Sequence, residues 1–254
     1  MSAFNPFSLS GKNILITGAS SGIGRQCAIH CSKIGARVAL VGRNEDRLKE
    51  TLSLMEGEEH IFVAADLSQT ESIKPLVQEV VLKMGPIDGF VHSAGIEKTL
   101  PLKSLKPSDY EDIYRINTMS AFEFIRYFGS SKNFNQGGSI VLISSITSVI
   151  GRVGVSAYAA SKGALVSAAK TMALELAKRQ VRINAVSPGT VLTPLMQNYL
   201  SQISEEDKQK RIDGFPLGLG EPEDVANACI YLLSDASKWM TGQNIIIDGG
   251  YTAQ

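Results

Sequence analysis

Tyr158 and Lys162 stand four residues apart in the run Ser156-Ala-Tyr-Ala-Ala-Ser-Lys-Gly163. On a helix this spacing puts both side chains on one face, one turn apart. An ammonium beside a phenol favours the phenolate and draws the tyrosine pKa down from about 10 toward neutrality. A tyrosine tuned in this way can give and take a proton near pH 7. The same spacing occurs on many solvated helices, so its meaning depends on what accompanies it.

A second set of residues suits an anion. Thr17-Gly-Ala-Ser-Ser-Gly-Ile-Gly24 follows the apolar run Asn13-Ile-Leu-Ile-Thr17 and opens a helical stretch from about Ile23 to Ile34. Its glycines allow a tight turn, and the helix start offers free amides and a positive dipole end to a pyrophosphate. The next strand-like run, Ala36 to Val41, ends in Gly42-Arg43. Enzymes that use NAD usually place a carboxylate there for the ribose hydroxyls. An arginine can instead pair with a 2′-phosphate, so the expected cofactor is NADP(H), with NAD(H) the alternative. Arg43 also begins a charged helix start, where an ordinary surface arginine would be unremarkable. Cys27 and Cys31 share a helix face but have no His or carboxylate companions, which suits core packing; no metal site is expected.

Positioning these residues requires a particular architecture. Strand-like runs at Asn13–Thr17, Ala36–Val41, His60–Ala65, Asp88–His92, Ser139–Ile143, Arg182–Ser187 and Asn244–Asp248 alternate with helical stretches. Short buried strands separated by helices need right-handed crossovers and a mainly parallel sheet covered on both faces. The expected fold is α/β and doubly wound (Rossmann), with seven strands, one domain over residues 1–254 and the ligand site at the strands' carboxyl ends. Leu192 to Phe215 interrupts the alternation and reads as a helical flap over the site or as a plain surface excursion.

Thr17 to Gly24, Asn117, Ser145, Tyr158 and Lys162 together resemble the short-chain dehydrogenase/reductase family, in its single-domain Tyr-x-x-x-Lys branch. The resemblance runs from Gly11 to Gly250 and includes the spacing Gly18-x-x-x-Gly22-x-Gly24. It implies that Tyr158 exchanges a proton with the substrate oxygen and that Ser145 hydrogen-bonds the same oxygen. It implies that Lys162 binds the nicotinamide ribose and holds down the Tyr158 pKa, and that Asn117 holds a water linking Lys162 to solvent. Hydride would move between nicotinamide and substrate carbon, with the protein supplying orientation and proton handling.

The resemblance also implies the cofactor contacts. Gly18, Ser20, Ser21, Gly22, Ile23 and Gly24 would hold the pyrophosphate side, and Arg43 the adenosine ribose. Asp66 and Leu67 would contact adenine, and Ser93, Ala94 and Gly95 the ribose region. Pro188, Gly189, Val191 and Thr193 would lie beside the nicotinamide amide. One departure stands out: His92-Ser93 occupies the place where the family commonly has two asparagines, and His92 is a candidate for one of their hydrogen bonds. The implied enzyme interconverts a carbonyl and a secondary alcohol, most similarly to 3-oxoacyl-(acyl-carrier-protein) reductases. Sugar, polyol or steroid oxidoreduction remains open, as does an idle NADP-binding regulatory protein. A homotetramer is the family expectation.

The predicted pocket walls, Ile146 to Ser156 and Thr193 to Phe215, carry Val149, Ile150, Val153, Val155, Leu195 and Met196, with Arg152 the charged exception. For a carrier-borne substrate, Lys178 and Arg179 are the basic candidates at the mouth. The 254 residues balance 25 basic against 25 acidic side chains, which argues against a nucleic-acid or membrane-surface partner. The start, Met1 to Ser8, lacks a secretory pattern, and three cysteines are no disulfide framework, so the expected location is the cytoplasm.

Overall fold

In the computed structural model, which describes residues 5–254, the alternating pattern becomes one parallel sheet. Residues 1–4 of the chain start, read above for a leader, lie outside the described residues. The strands are β1 (Asn13–Thr17), β2 (Arg37–Gly42), β3 (Ile61–Ala64), β4 (Ile87–His92), β5 (Phe134–Ile143), β6 (Arg182–Pro188) and β7 (Asn244–Ile247). Their order is β3-β2-β1-β4-β5-β6-β7, and every pairing is parallel. The order reverses between β1 and β4, so a crevice opens outside their carboxyl ends. Thr17 sits there, paired to Val41 on one side and His92 on the other.

Strand periodicity sends neighbouring side chains to opposite faces, and both faces are buried. Leu15, Phe90, Ile140 and Ile183 face helices α3 (Ile73–Met84), α5 (Ser120–Phe128) and α6 (Ser156–Leu176). Ile14, Ile16, Val91 and Val186 face α1 (Gly22–Lys33), α2 (Glu45–Ser53) and α9 (Pro222–Leu233). Cys27, Cys31 and Cys229 are buried free thiols between α1 and α9, and burial raises the Cys31 pKa well above its ordinary value. They pack as small apolar side chains. Among the described residues no helix is long and apolar enough to cross a membrane.

One strand departs from the sequence reading. β5 begins at Phe134, five residues before the expected Ser139, because Asn135-Gln-Gly-Gly138 has turn-like composition. Phe134 is nonetheless fully buried and paired with Ile87, across a register irregularity between Ile87 and Gly89. The helix that runs from α4 (Pro107–Tyr114) into α5 contains a π-helical turn, Arg115–Met119, which carries Asn117. Leu192 to Phe215 folds as α7 (Pro194–Leu200) and α8 (Glu205–Asp213) beside the crevice.

Candidate active site

The glycine loop forms the floor of a groove of about 280 Å³ at the carboxyl ends of β1, β2 and β4. Gly18 has a φ of 67°, and a Cβ there would lie 2.8 Å from the Ala94 nitrogen. A Cβ on Gly24 would lie 2.4 Å from the Gly18 oxygen. Both positions therefore exclude a side chain: the first to pack the loop against the end of β4, the second to pack α1 on the loop. α1 begins with Ser21, whose side chain makes no capping hydrogen bond, and its first turn contains no acidic residue. Its free amides and dipole end thus remain available to an anion. Arg43, Asp66, Leu67, Ser93 and Thr193 line the same groove. Arg43 is exposed, and among the described residues it belongs to no ion pair. These walls fit a dinucleotide.

The groove runs into a second cavity of about 430 Å³, with Ile23, Ser93, Gly95 and Thr193 common to both. Ser145, Tyr158, Lys162, Pro188, Gly189 and Val191 line this second cavity. Ser145 follows β5 and caps a short 3-10 turn, accepting from the Thr147 nitrogen at 3.2 Å. Tyr158 and Lys162 face it from the first two turns of α6. Lys162 is buried, and its Nζ donates to the Ile143 carbonyl oxygen at 2.8 Å.

The electrostatics reverse one expectation. Lys162 was expected to hold the Tyr158 pKa down. Burial, reinforced by the Glu97 carboxylate, instead pushes it up to about 12, against smaller downward pulls from Ser145 and Arg152. Burial lowers Lys162 to about 8, with Glu97 pulling the other way. The ammonium lies 5.7 Å from the centre of the Tyr158 ring and spends one proton on a backbone carbonyl. At neutral pH the phenol is therefore protonated and the amine mostly cationic.

Asn117 was expected to hold a water. Its Oδ1 accepts from the Ile96 nitrogen at 2.8 Å, and its Nδ2 donates to the Ile96 oxygen and to Ser161 Oγ, both at 3.0 Å. Both amide protons are used, so the side chain clamps the loop after β4 to α6.

His92 meets the departure noted in the sequence. Thr17 Oγ1 accepts from the nitrogens of Ser93 and Ala94, each at 3.2 Å. Its one proton is then directed at His92 Nδ1, 3.0 Å away. The ring accepts at Nδ1 and carries its proton on Nε2, which faces Ser120 Oγ at 3.4 Å; that hydroxyl donates to the Ile116 oxygen at 2.6 Å. The imidazole thus ties the glycine-loop threonine to the π turn. Burial, with the nearby Lys162 charge, lowers its pKa from 6.5 to about 3, so it stays neutral.

A folded-state pKa below the unfolded one means that the unfolded chain takes up a proton first as pH falls. The stabilisation is complete above pH 6.5 and is lost progressively toward pH 3. His92→Ala is expected to lower unfolding stability by about 2–4 kcal/mol at pH 7.5, through orphaned Thr17 and Ser120 partners. It should also flatten the loss of stability between pH 6.5 and 4. Urea unfolding at both pH values checks this, and parallel slopes for the two proteins would contradict it.

The substrate side of the cavity differs from its expected lining. Ile150, Leu195 and Met196 line it, whereas Val155 is fully buried in the core and Val149 and Val153 lie outside among the exposed residues. Lys178 and Arg179 are not at the mouth. They follow the far end of α6, and at 1.5 Å per residue they lie roughly 30 Å from Tyr158. Arg179 donates there to the carbonyls of Phe128, Gly129 and Phe134. Glu97, Thr190, Arg211, Phe215 and Tyr251 line the cavity without having been singled out from the sequence. Glu97 was findable, because charged residues just past a strand's carboxyl end face the crevice.

Comparison with known proteins places this geometry among related chains. A family model described as enoyl-(acyl carrier protein) reductase matches residues 18–252. A glucose 1-dehydrogenase of Gluconobacter oxydans is 35% identical over 252 residues, covering 96% of this chain and 92% of the relative. A 3-oxoacyl-[acyl-carrier-protein] reductase, FabG, of Thermotoga maritima is also 35% identical, over 246 residues, 95% of this chain and 98% of the relative. The crystal structure of a short-chain type dehydrogenase/reductase from Mycobacterium marinum superposes with a TM-score of 0.86 at 32% identity, covering all of both chains.

Proposed function

This chain belongs to the short-chain dehydrogenase/reductase family and is an oxidoreductase, and we propose that it interconverts a carbonyl and a secondary alcohol with Tyr158 as proton donor and NADPH as preferred cofactor. The observation that carries the proposal is the meeting of Ser145, Tyr158 and Lys162 on one cavity that opens into the glycine-floored groove. When bound, the nicotinamide supplies the hydride.

The chain's own residues handle the proton. Tyr158, protonated at neutral pH, donates to the carbonyl oxygen as negative charge develops on it. Ser145 donates a hydrogen bond to the same oxygen. The Lys162 ammonium offsets the charge left on the phenolate and holds the ribose hydroxyls. Gly18, Ser20, Ser21, Gly22, Ile23 and Gly24 receive the pyrophosphate, Asp66 and Leu67 the adenine, and Ser93, Ala94 and Gly95 the ribose. Pro188, Gly189, Val191 and Thr193 flank the carboxamide, and Asn117 fixes the loop behind Gly95. Arg43 supports NADPH, since it follows β2 at the groove and has no ion-pair partner among the described residues.

The two relatives with equal identity act on a sugar and on a carrier-bound thioester by their names, so kinship leaves the substrate open. The decisive experiment is a reductase screen with NADPH and NADH against an acetoacetyl thioester, small diketones, keto-sugars and a steroid ketone. A protein that binds the cofactor tightly but oxidises it with none of them would be a regulatory binder instead.

A further inference from the structure

The substrate side of the cavity carries more positive charge than a neutral ketone requires. Arg152, from the loop after β5, and Lys210 and Arg211, from α8, all line it, against the single lining carboxylate of Glu97; Lys210 is paired along α8 with Glu206 at 2.7 Å. Glu97 Oε1 lies 3.7 Å from Arg152 Nη1 and also accepts from the Thr99 hydroxyl at 3.2 Å. Arg152 therefore has a counter-charge on the cavity wall.

Arg211 has none. It is half-buried, and among the described residues it belongs to no ion pair. Its guanidinium sits over the Tyr199 ring at 5.4 Å, and Nη2 makes one long hydrogen bond, to Thr190 Oγ1 at 3.5 Å. Among the described residues its Nε is buried and has no acceptor; Arg25 and Arg37 share that feature, but their guanidiniums are ion-paired with Glu50 and Glu59. A buried donor of a cation with nothing to bond is costly, and such groups normally have a partner. A guanidinium presents a fork that matches a carboxylate in geometry and charge. Burial and the charge of Arg152 act against its protonated state, against weaker support from Tyr199, Glu97 and Tyr251, and an incoming carboxylate would add to that support.

We infer that the substrate is a ketone, or the corresponding secondary alcohol, bearing a carboxylate, and that Arg211 is the specificity residue that receives it. The inference rests on the proposed carbonyl reduction at Tyr158 and adds the substrate's chemical class. A monoanion fits better than a phosphate ester, because Glu97 already neutralises Arg152 and would repel a dianion. The cavity, at about 430 Å³, is of small-molecule size and is shared with the nicotinamide end of the cofactor, so the substrate is small. The carboxylate lies at the α8 side of the cavity and the carbonyl at the Tyr158 side, so one charged contact also fixes which carbon faces the cofactor.

The test separates binding from turnover. The full chain is saturated with oxidised NADP, so that an added ketone can bind but cannot be reduced. Calorimetry then compares 3-oxobutanoate, 4-oxopentanoate and a 5-ketohexonate, each against its neutral amide. At least one acid is expected to bind about tenfold or more tightly than its amide. Arg211→Gln should bring that ratio close to one, Arg211→Lys should keep part of it, and Glu97→Gln should tighten the acid by roughly two- to tenfold. Circular dichroism confirms that each variant is folded, and Arg152→Gln provides a second cationic variant with a smaller expected effect. Equal binding of every acid and amide, binding of none of them, or an equal loss for both in Arg211→Gln would overturn the inference. If acids bind as expected while Tyr158→Phe reduces ketones at the wild-type rate, the catalytic proposal fails and the anion site stands.

Discussion

Tyr158→Phe is expected to lower kcat for ketone reduction by at least about 10³-fold while leaving NADPH affinity within about twofold. The substitution removes one oxygen and keeps the ring that α6 presents to the cavity, so the walls that hold the cofactor are unchanged. What disappears is the phenolic proton that the proposal places beside Ser145 at the substrate oxygen. The expectation extends to pH. With Tyr158 raised to about 12, the donor stays protonated throughout the usual assay range. Lys162, lowered to about 8, is the group that titrates within it. Reduction should therefore be flat up to about pH 7 and decline above pH 8 as the ammonium is lost. Steady-state NADPH oxidation from pH 6 to 9.5, with fluorescence titration of cofactor binding, measures both effects. A rate that climbs through pH 8 would mean that Lys162 acts as a neutral base.

Arg43→Glu is expected to reverse cofactor preference, changing the ratio of kcat/KM for NADPH over NADH by more than about 100-fold. Two effects act in the same direction. Losing a forked, charge-assisted contact to the 2′-phosphate weakens NADPH by about 1.5–3 kcal/mol, which is roughly 10- to 150-fold. A carboxylate in that place repels the phosphate and suits free ribose hydroxyls. Arg43→Ala isolates the first effect and should show the smaller change. Because Arg43 is exposed, the difference should shrink as salt is raised. Kinetics with both cofactors at low and high salt decide the point. An unchanged ratio in both variants would remove Arg43 from the cofactor site.

The fold was legible because both faces of the sheet are buried and each strand is a short apolar run between helix signals. The start of β5 was hidden because Asn135-Gln-Gly-Gly138 looks like a turn, and only its pairing with β4 makes a strand of it. The groove and the Tyr158/Lys162 wall were equally legible, since glycine spacing and helical periodicity are local properties. The direction of the Tyr158 pKa was not. Sequence spacing puts an ammonium near the phenol but cannot show how deeply both are buried or that Glu97 faces them from another loop. Asn117 and His92 illustrate the same limit. The clamp to Ile96 and Ser161 and the link from Thr17 to Ser120 depend on contacts across 21 to 75 residues of chain. Lys178 and Arg179 erred the other way: proximity in sequence to the catalytic helix placed them near the mouth, whereas the length of that helix carries them to its far end.

The central claim is that a proton from Tyr158 accompanies hydride arriving from the cofactor. Its most direct test uses NADPH carrying deuterium at the transferable C4 position, with whichever ketone the reductase screen finds most reactive. The account predicts one deuterium on the carbinol carbon of the wild-type product, with no labelled alcohol above background from Tyr158→Phe at equal cofactor occupancy. Alcohol formed without the label, or labelled alcohol formed by Tyr158→Phe at the wild-type rate, would contradict it.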